Sequence, residues 1–236
     1  MVRRVAMGCL LVLVVAACGD DDAVTTTAAD TTTTVVETTT TTGGETTTSA
    51  PIAGFVDTFD GTTLIAGTAP GQYTAFEFLE GGVMRYSRVG EAGFGVRLYG
   101  DYSGVYGDGI TVTMRFKHVG PGGDGSGSGI FILGDGGEHD LAVHLLRNGM
   151  IDVIPVLLDY PADYTSLDGR ANFIAGDFNE LAVTVDGSVV YVSLNGTMLG
   201  AIGQVPVSPG ILGIVINAVE VGDGIEIDEF SVQPAA

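Results

Sequence analysis

The chain has no tryptophan, only two cysteines, and nine lysine or arginine residues against 29 acidic ones. The shortage of cations leaves a formal charge of −20, which makes nucleic acid and anionic membrane surfaces poor partners. The missing tryptophan removes the largest aromatic stacking platform. Helical periodicity is nearly absent, so bundles and doubly wound α/β folds are excluded. There is also no Ser nucleophile elbow, P-loop or dinucleotide fingerprint. The Gly-rich Pro121–Gly129 stretch has no lysine and no following helix, and is expected to be a loop between strands.

The beginning of the chain carries the first positive signal. MVRRVAMGCLLVLVVAAC places Arg3 and Arg4 before a short apolar segment and small residues before Cys18, the layout of a secretory signal too short to span a membrane stably. Val15-Ala16-Ala17-Cys18 resembles the bacterial lipobox. That resemblance implies cleavage after residue 17 and lipid on the Cys18 thiol; ordinary cleavage that leaves Cys18 unmodified is the alternative. Cys9 would leave with the signal, so no disulfide remains and the exported domain must hold together by its core alone. Residues 18–51 form the lipidated cysteine and a Thr-rich linker with almost nothing to bury. As a flexible coil it would span about 30 Å. The expected location is the outer face of the cell membrane, held only through the lipid. A Thr-rich tether after a CGDDD start resembles lipoproteins of high-GC Gram-positive bacteria.

Residues 52–236 suffice for one substantial core. Six of the 29 acids and two of the nine cations precede Ile52, leaving 23 acidic against seven basic residues in this domain. Alternation of period two recurs throughout. In GITVTMRFKH, Ile110, Val112, Met114 and Phe116 face one way, and Thr111, Thr113, Arg115 and Lys117 the other. The same rhythm appears at Phe94, Val96 and Leu98, at Leu141, Val143 and Leu145, and at Leu181, Val183 and Val185. Asp108-Gly109, Asn148-Gly149, Asp186-Gly187 and Asn195-Gly196 supply turns that accept positive φ. About twelve strands without a helix predict an all-β, two-sheet antiparallel sandwich.

The second half reads NELAVTVDGSVVYVSLNGTMLGAI from Asn179, SPGILGIVI from Ser208 and GIEIDEFSV from Gly224. This order resembles the closing strands of concanavalin A-like lectin/glucanase domains, in particular the LamG-like and 3-keto-disaccharide hydrolase (family 16-like) branch. FVDTF, Phe55–Phe59, resembles their first strand. The resemblance implies a jelly-roll sandwich, a scaffold that hosts lectins, hydrolases and inert spacers alike.

Retaining glycosidases need two carboxyl groups about 5 to 5.5 Å apart. In the family 16-type enzymes these come from one strand in a pattern E-x-D-x-x-E or E-x-D-x-E. Glu226-Ile227-Asp228 supplies the first half, but Ser231 and Phe230 occupy the partner positions, so no catalytic residue is assigned. Ile225 and Ile227 share one parity, Phe230 and Val232 the other. All four can face a single core only if a residue is inserted at Asp228-Glu229, which predicts a β-bulge with its acids turned to solvent.

Three further constellations carry candidate chemistry. Asp135, Glu138 and Asp140 could ligate Ca²⁺ with backbone carbonyls, although acidic Gly-rich turns are common on so negative a chain. No other cofactor is implied. His139 and His144, five apart on a strand, fall on opposite faces, and His144 with Arg147 reads as a polar patch rather than a zinc pair. Tyr102, Tyr106, Tyr160 and Tyr164, in Asp-rich loops, suit stacking on sugar rings; tyrosines in such turns also brace loops.

The expected function is therefore a non-catalytic binding module for a carbohydrate or cell-envelope ligand on an exported, lipid-anchored chain. The alternatives are a hydrolase of glycosides or keto-sugars, with Glu77, Asp140 or Asp152 as unpaired acid candidates, and a structural or partner-binding spacer.

Overall fold

The computed structural model describes residues 54–60, 65–66, 74–90, 96–100, 108–134, 140–157, 160–161, 164–205, 207, 210–218 and 220–235. Among them there are sixteen strands and no helix. Twelve of the sixteen have five residues or more, in keeping with the number expected from the alternation.

Sheet 1 runs β14 (Thr197–Ile202), β13 (Val189–Leu194), β12 (Asn179–Asp186), β6 (Ile110–Val119), β16 (Gly224–Pro234), β4 (Val83–Arg88) and β3 (Thr74–Leu79), with β1 (Phe55–Asp57) also paired to β16. Sheet 2 runs β10 (Tyr160–Pro161), β9 (Met150–Leu157), β8 (Asp140–Leu146), β7 (Gly127–Gly134), β15 (Gly210–Asn217), β5 (Val96–Gly100) and β2 (Ile65–Ala66), with β11 (Thr165–Asp168) also paired to β9. Every pairing is antiparallel.

Alternation decides which side chains meet between the sheets. Ile110, Val112, Met114 and Phe116 of β6 and Leu181, Val183 and Val185 of β12 are fully buried against Ile130, Ile132, Leu141, Val143, Leu145, Leu212 and Ile214 of sheet 2. Each such aliphatic side chain contributes about 1.5–3 kcal/mol by leaving water. The Asn195-Gly196 turn joins β13 to β14 with both residues at positive φ, 50° and 75°, the twist that a two-residue hairpin requires.

The Pro121–Gly129 reading is corrected in part: the loop ends at Ser126, and Gly127 opens β7. Glycine suits this strand because its neighbour comes very near. A Cβ at Gly129 would lie 1.9 Å from the Val143 carbonyl oxygen on β8. Likewise Tyr160 and Tyr164, assigned to a loop, flank short strands: Tyr160 opens β10 and Tyr164 immediately precedes β11.

Candidate functional site

The expected bulge in the last strand is present. Phe116 of β6 pairs with Ile227 and Arg115 with Glu229, so Asp228 is the inserted residue. The insertion lets Ile225, Ile227, Phe230 and Val232 all enter the core. The expectation that the acids of the bulge turn to solvent is corrected for Asp228, whose side chain is only 15% exposed and paired with a cation. Glu226 is only 5% exposed, because strand order sets it between two cations on neighbouring strands. Arg85 Nε of β4 donates to it at 2.9 Å and Lys117 Nζ of β6 lies 2.6 Å away. Arg85 also reaches Glu77 of β3 at 3.1 Å. Asp228 pairs with Arg115, and the ring of Phe178 lies beneath both Arg115 and Lys117 at 5.1 and 5.0 Å.

These neighbours drive the two acids apart. Burial pushes the Glu226 carboxyl up, but the bonds from Lys117 and Arg85 outweigh it and hold it below its ordinary value. At Asp228 burial prevails over Arg115 and the pKa is raised. The outer face of sheet 1 is thus a ladder of paired charges.

Arg147, expected to share a patch with His144, points elsewhere. It donates to the Val119 carbonyl and the Asp223 carboxylate, and to Gly120 O at 3.2 Å. Asp223, 1% exposed, also accepts from Ser126 Oγ at 2.5 Å and from Gly224 N at 3.0 Å. This cluster clamps the end of sheet 1 to the end of sheet 2. Beside it, His118 donates from Nε2 to Leu145 O at 3.1 Å and meets the Phe116 ring edge-on. Burial first, then the nearby Arg147 charge, lowers its pKa to about 4.

Sheet 2 has a different outer face. Two rows run across its strands, one polar and one apolar. His144 of β8 is the cross-strand partner of Asp152 of β9, and Asp152 is the partner of Ser166 of β11. The Ser166 hydroxyl donates to Asp152 Oδ1 at 2.5 Å. The adjacent row is Phe131, Ala142 and Ile154. With Val215 and Leu133 it forms an apolar cluster separate from the main core. Tyr164, two residues before Ser166 and of the same parity, is 64% exposed. Of the residues singled out for binding, His144 and Tyr164 fall on the same sheet, with β9 between their strands. In the sequence Asp152 is only an unpaired acid and Ser166 carries no signal, because their meeting depends on a cross-strand register between two short segments. Tyr102, Tyr106, Asp135, Glu138 and His139 lie outside the described residues, and only the backbones of Tyr160 and Asp140 are described. Among the described residues no group of three or more His, Cys, Asp or Glu could hold a metal ion.

Register also bears on acid pairs. Asp140 pairs with Val156 and His144 with Asp152, so Asp140 and Asp152 stand four residue steps apart along the ladder, about 13 Å at strand rise. Glu77 belongs to the other sheet. A retaining pair needs about 5–5.5 Å and an inverting pair about 6.5–9.5 Å.

No family model matches the chain, and no curated protein matches it. Solved structures do. A Bacillus licheniformis β-glucanase superposes with TM-score 0.54 at 14% identity, covering 76% of this chain and 97% of that one. A prokaryotic β-1,3-1,4-glucanase (lichenase) from a mouse hindgut metagenome gives 0.53 at 15%, covering 77% and 99%. A Bacillus subtilis protein of unknown function with a galectin-like fold gives 0.50 at 16%, covering 68% and 86%. At such identities the likeness is one of fold: this is a concanavalin A-like jelly-roll sandwich.

Proposed function

We propose that this chain is an exported lipoprotein that displays a carbohydrate-binding sandwich on a Thr-rich tether, anchored through Cys18, and that it binds glycans on the outer face of sheet 2. The observation that carries the reading is the exposed Tyr164, two residues before Ser166, whose hydroxyl holds the Asp152 carboxylate. Sugars present apolar ring faces and hydroxyl edges together, and a surface with an aromatic and an oriented carboxylate satisfies both. The glucanase neighbours act on β-glucans by name and support a glycan as ligand on this fold.

The full chain in mild detergent is tested for retention on a polysaccharide panel that includes mixed-linkage β-glucan. Retention that falls about tenfold in Tyr164→Ala and Asp152→Ala is expected, a loss of about 1.4 kcal/mol. Absence of retention across the panel overturns the binding reading. For the anchor, a fatty-acid analogue should label the parent chain and not Cys18→Ser; label that survives the substitution refutes it.

A further inference from the structure

We infer that the sheet 2 face discriminates among glycans by charge: it accepts neutral sugars and rejects those bearing carboxylates. The inference rests on the glycan reading above and names the class of ligand for that same face. Asp152 is its central acceptor. Ser166 holds one carboxylate oxygen, and among the described residues no cation pairs with Asp152. Arg170, two residues past the end of β11, is taken up by Asp168, with contacts at 2.9 and 2.6 Å. Arg147 is turned into the clamp with Asp223.

A carboxylate acceptor of this kind takes hydrogen bonds from vicinal sugar hydroxyls, which are donors. A uronate carboxylate in the same place offers only acceptors and a like charge. The remainder of the protein reinforces the bias, since the whole chain carries −20. His144 stands across the strand from Asp152.

The test compares mixed-linkage β-glucan with the same polymer oxidised at C6 to the uronate, at pH 8, for the full chain, Asp152→Asn and Glu180→Gln. Glu180 is an exposed acid on the opposite sheet, so both variants change the net charge by the same amount. The parent should prefer the neutral polymer by about tenfold, a gap that narrows in about 1 M salt as the Debye length shrinks to about 3 Å. Asp152→Asn, which can still accept from Ser166, should cut the preference about threefold, and Glu180→Gln should leave it unchanged. Equal or tighter binding of the uronate, or an equal response of the two variants, overturns the inference and leaves the glycan reading standing. Failure to bind either polymer overturns both.

Discussion

The two outer faces of this sandwich treat their polar groups in opposite ways. On sheet 1 every strand from β3 to β6 supplies a charge that its neighbour cancels: Glu77 with Arg85, Arg85 and Lys117 with Glu226, Arg115 with Asp228. On sheet 2 the polar row of His144, Asp152 and Ser166 runs beside an apolar one, with an exposed tyrosine at its edge. Acidic density alone would rank the first face as the site. The comparison teaches that carboxylates matched by cations on adjacent strands hold a sheet together, whereas an acceptor oriented by a single hydroxyl retains capacity for a ligand.

If enclosure is what separates structural from functional polar groups, a titratable group whose pKa burial moves far should give the largest effect. His118 takes up a proton at about 4 in the fold against 6.5 ordinarily. The unfolded chain is protonated first on acidification. Stability that is fully present above pH 6.5 is thus lost as the pH falls to about 4, and no more is lost below that. The gap corresponds to about 3 kcal/mol. Urea midpoints of the parent should fall more steeply over this window than those of His118→Gln; identical slopes would refute the assignment.

The next effect belongs to Glu226. Glu226→Ala leaves Lys117 without its carboxylate and Arg85 with only the exposed Glu77, and because both cations keep some water contact the loss is put at about 2 kcal/mol, below that of a fully buried pair. Glycan retention should be unaffected, which thermal unfolding and binding measured on one sample would establish. A variant that lost binding while keeping its stability would move the site to sheet 1 and reverse the comparison.

Asp228 lies two residues further along the same strand and predicts a smaller change of opposite sign. Its raised pKa means that ionisation weakens the fold above the folded pKa and that the penalty vanishes as the pH drops. Asp228→Asn should therefore be at least as stable as the parent at pH 7, since the half-exposed Arg115 partner contributes no more than about 1 kcal/mol. Marked destabilisation at pH 7 would show that the pair, not the burial, dominates.

How much of this was legible in the sequence follows from range. The bulge was readable from parity alone, because Ile225, Ile227, Phe230 and Val232 cannot all be buried without an inserted residue. The Asn-Gly hairpin is equally local. The partners of Glu226 were not readable, since Arg85 is 141 positions away and strand order, not spacing, brings it there. Arg147 failed for the same reason: its carboxylate, Asp223, arrives from a turn 76 residues later. Ser166 became part of the site only through the β9–β11 register, which no motif announces. The glycine-rich start of β7 looked like a loop because its reason for glycine, close approach to β8, is a tertiary fact.

The smallest effect on stability should be the most telling one. Tyr164 is mostly exposed and precedes a four-residue edge strand, so Tyr164→Ala should shift the unfolding free energy by less than about 0.5 kcal/mol. A large aromatic surface left in water lowers the solubility of a monomer and contributes little to its core. If its removal leaves the urea midpoint in place but weakens glycan retention, the ring is maintained for contact with something outside the chain. If instead the midpoint falls by a kilocalorie or more, Tyr164 braces β11 against β9, and the contrast between the two faces reduces to two different ways of stabilising one sandwich.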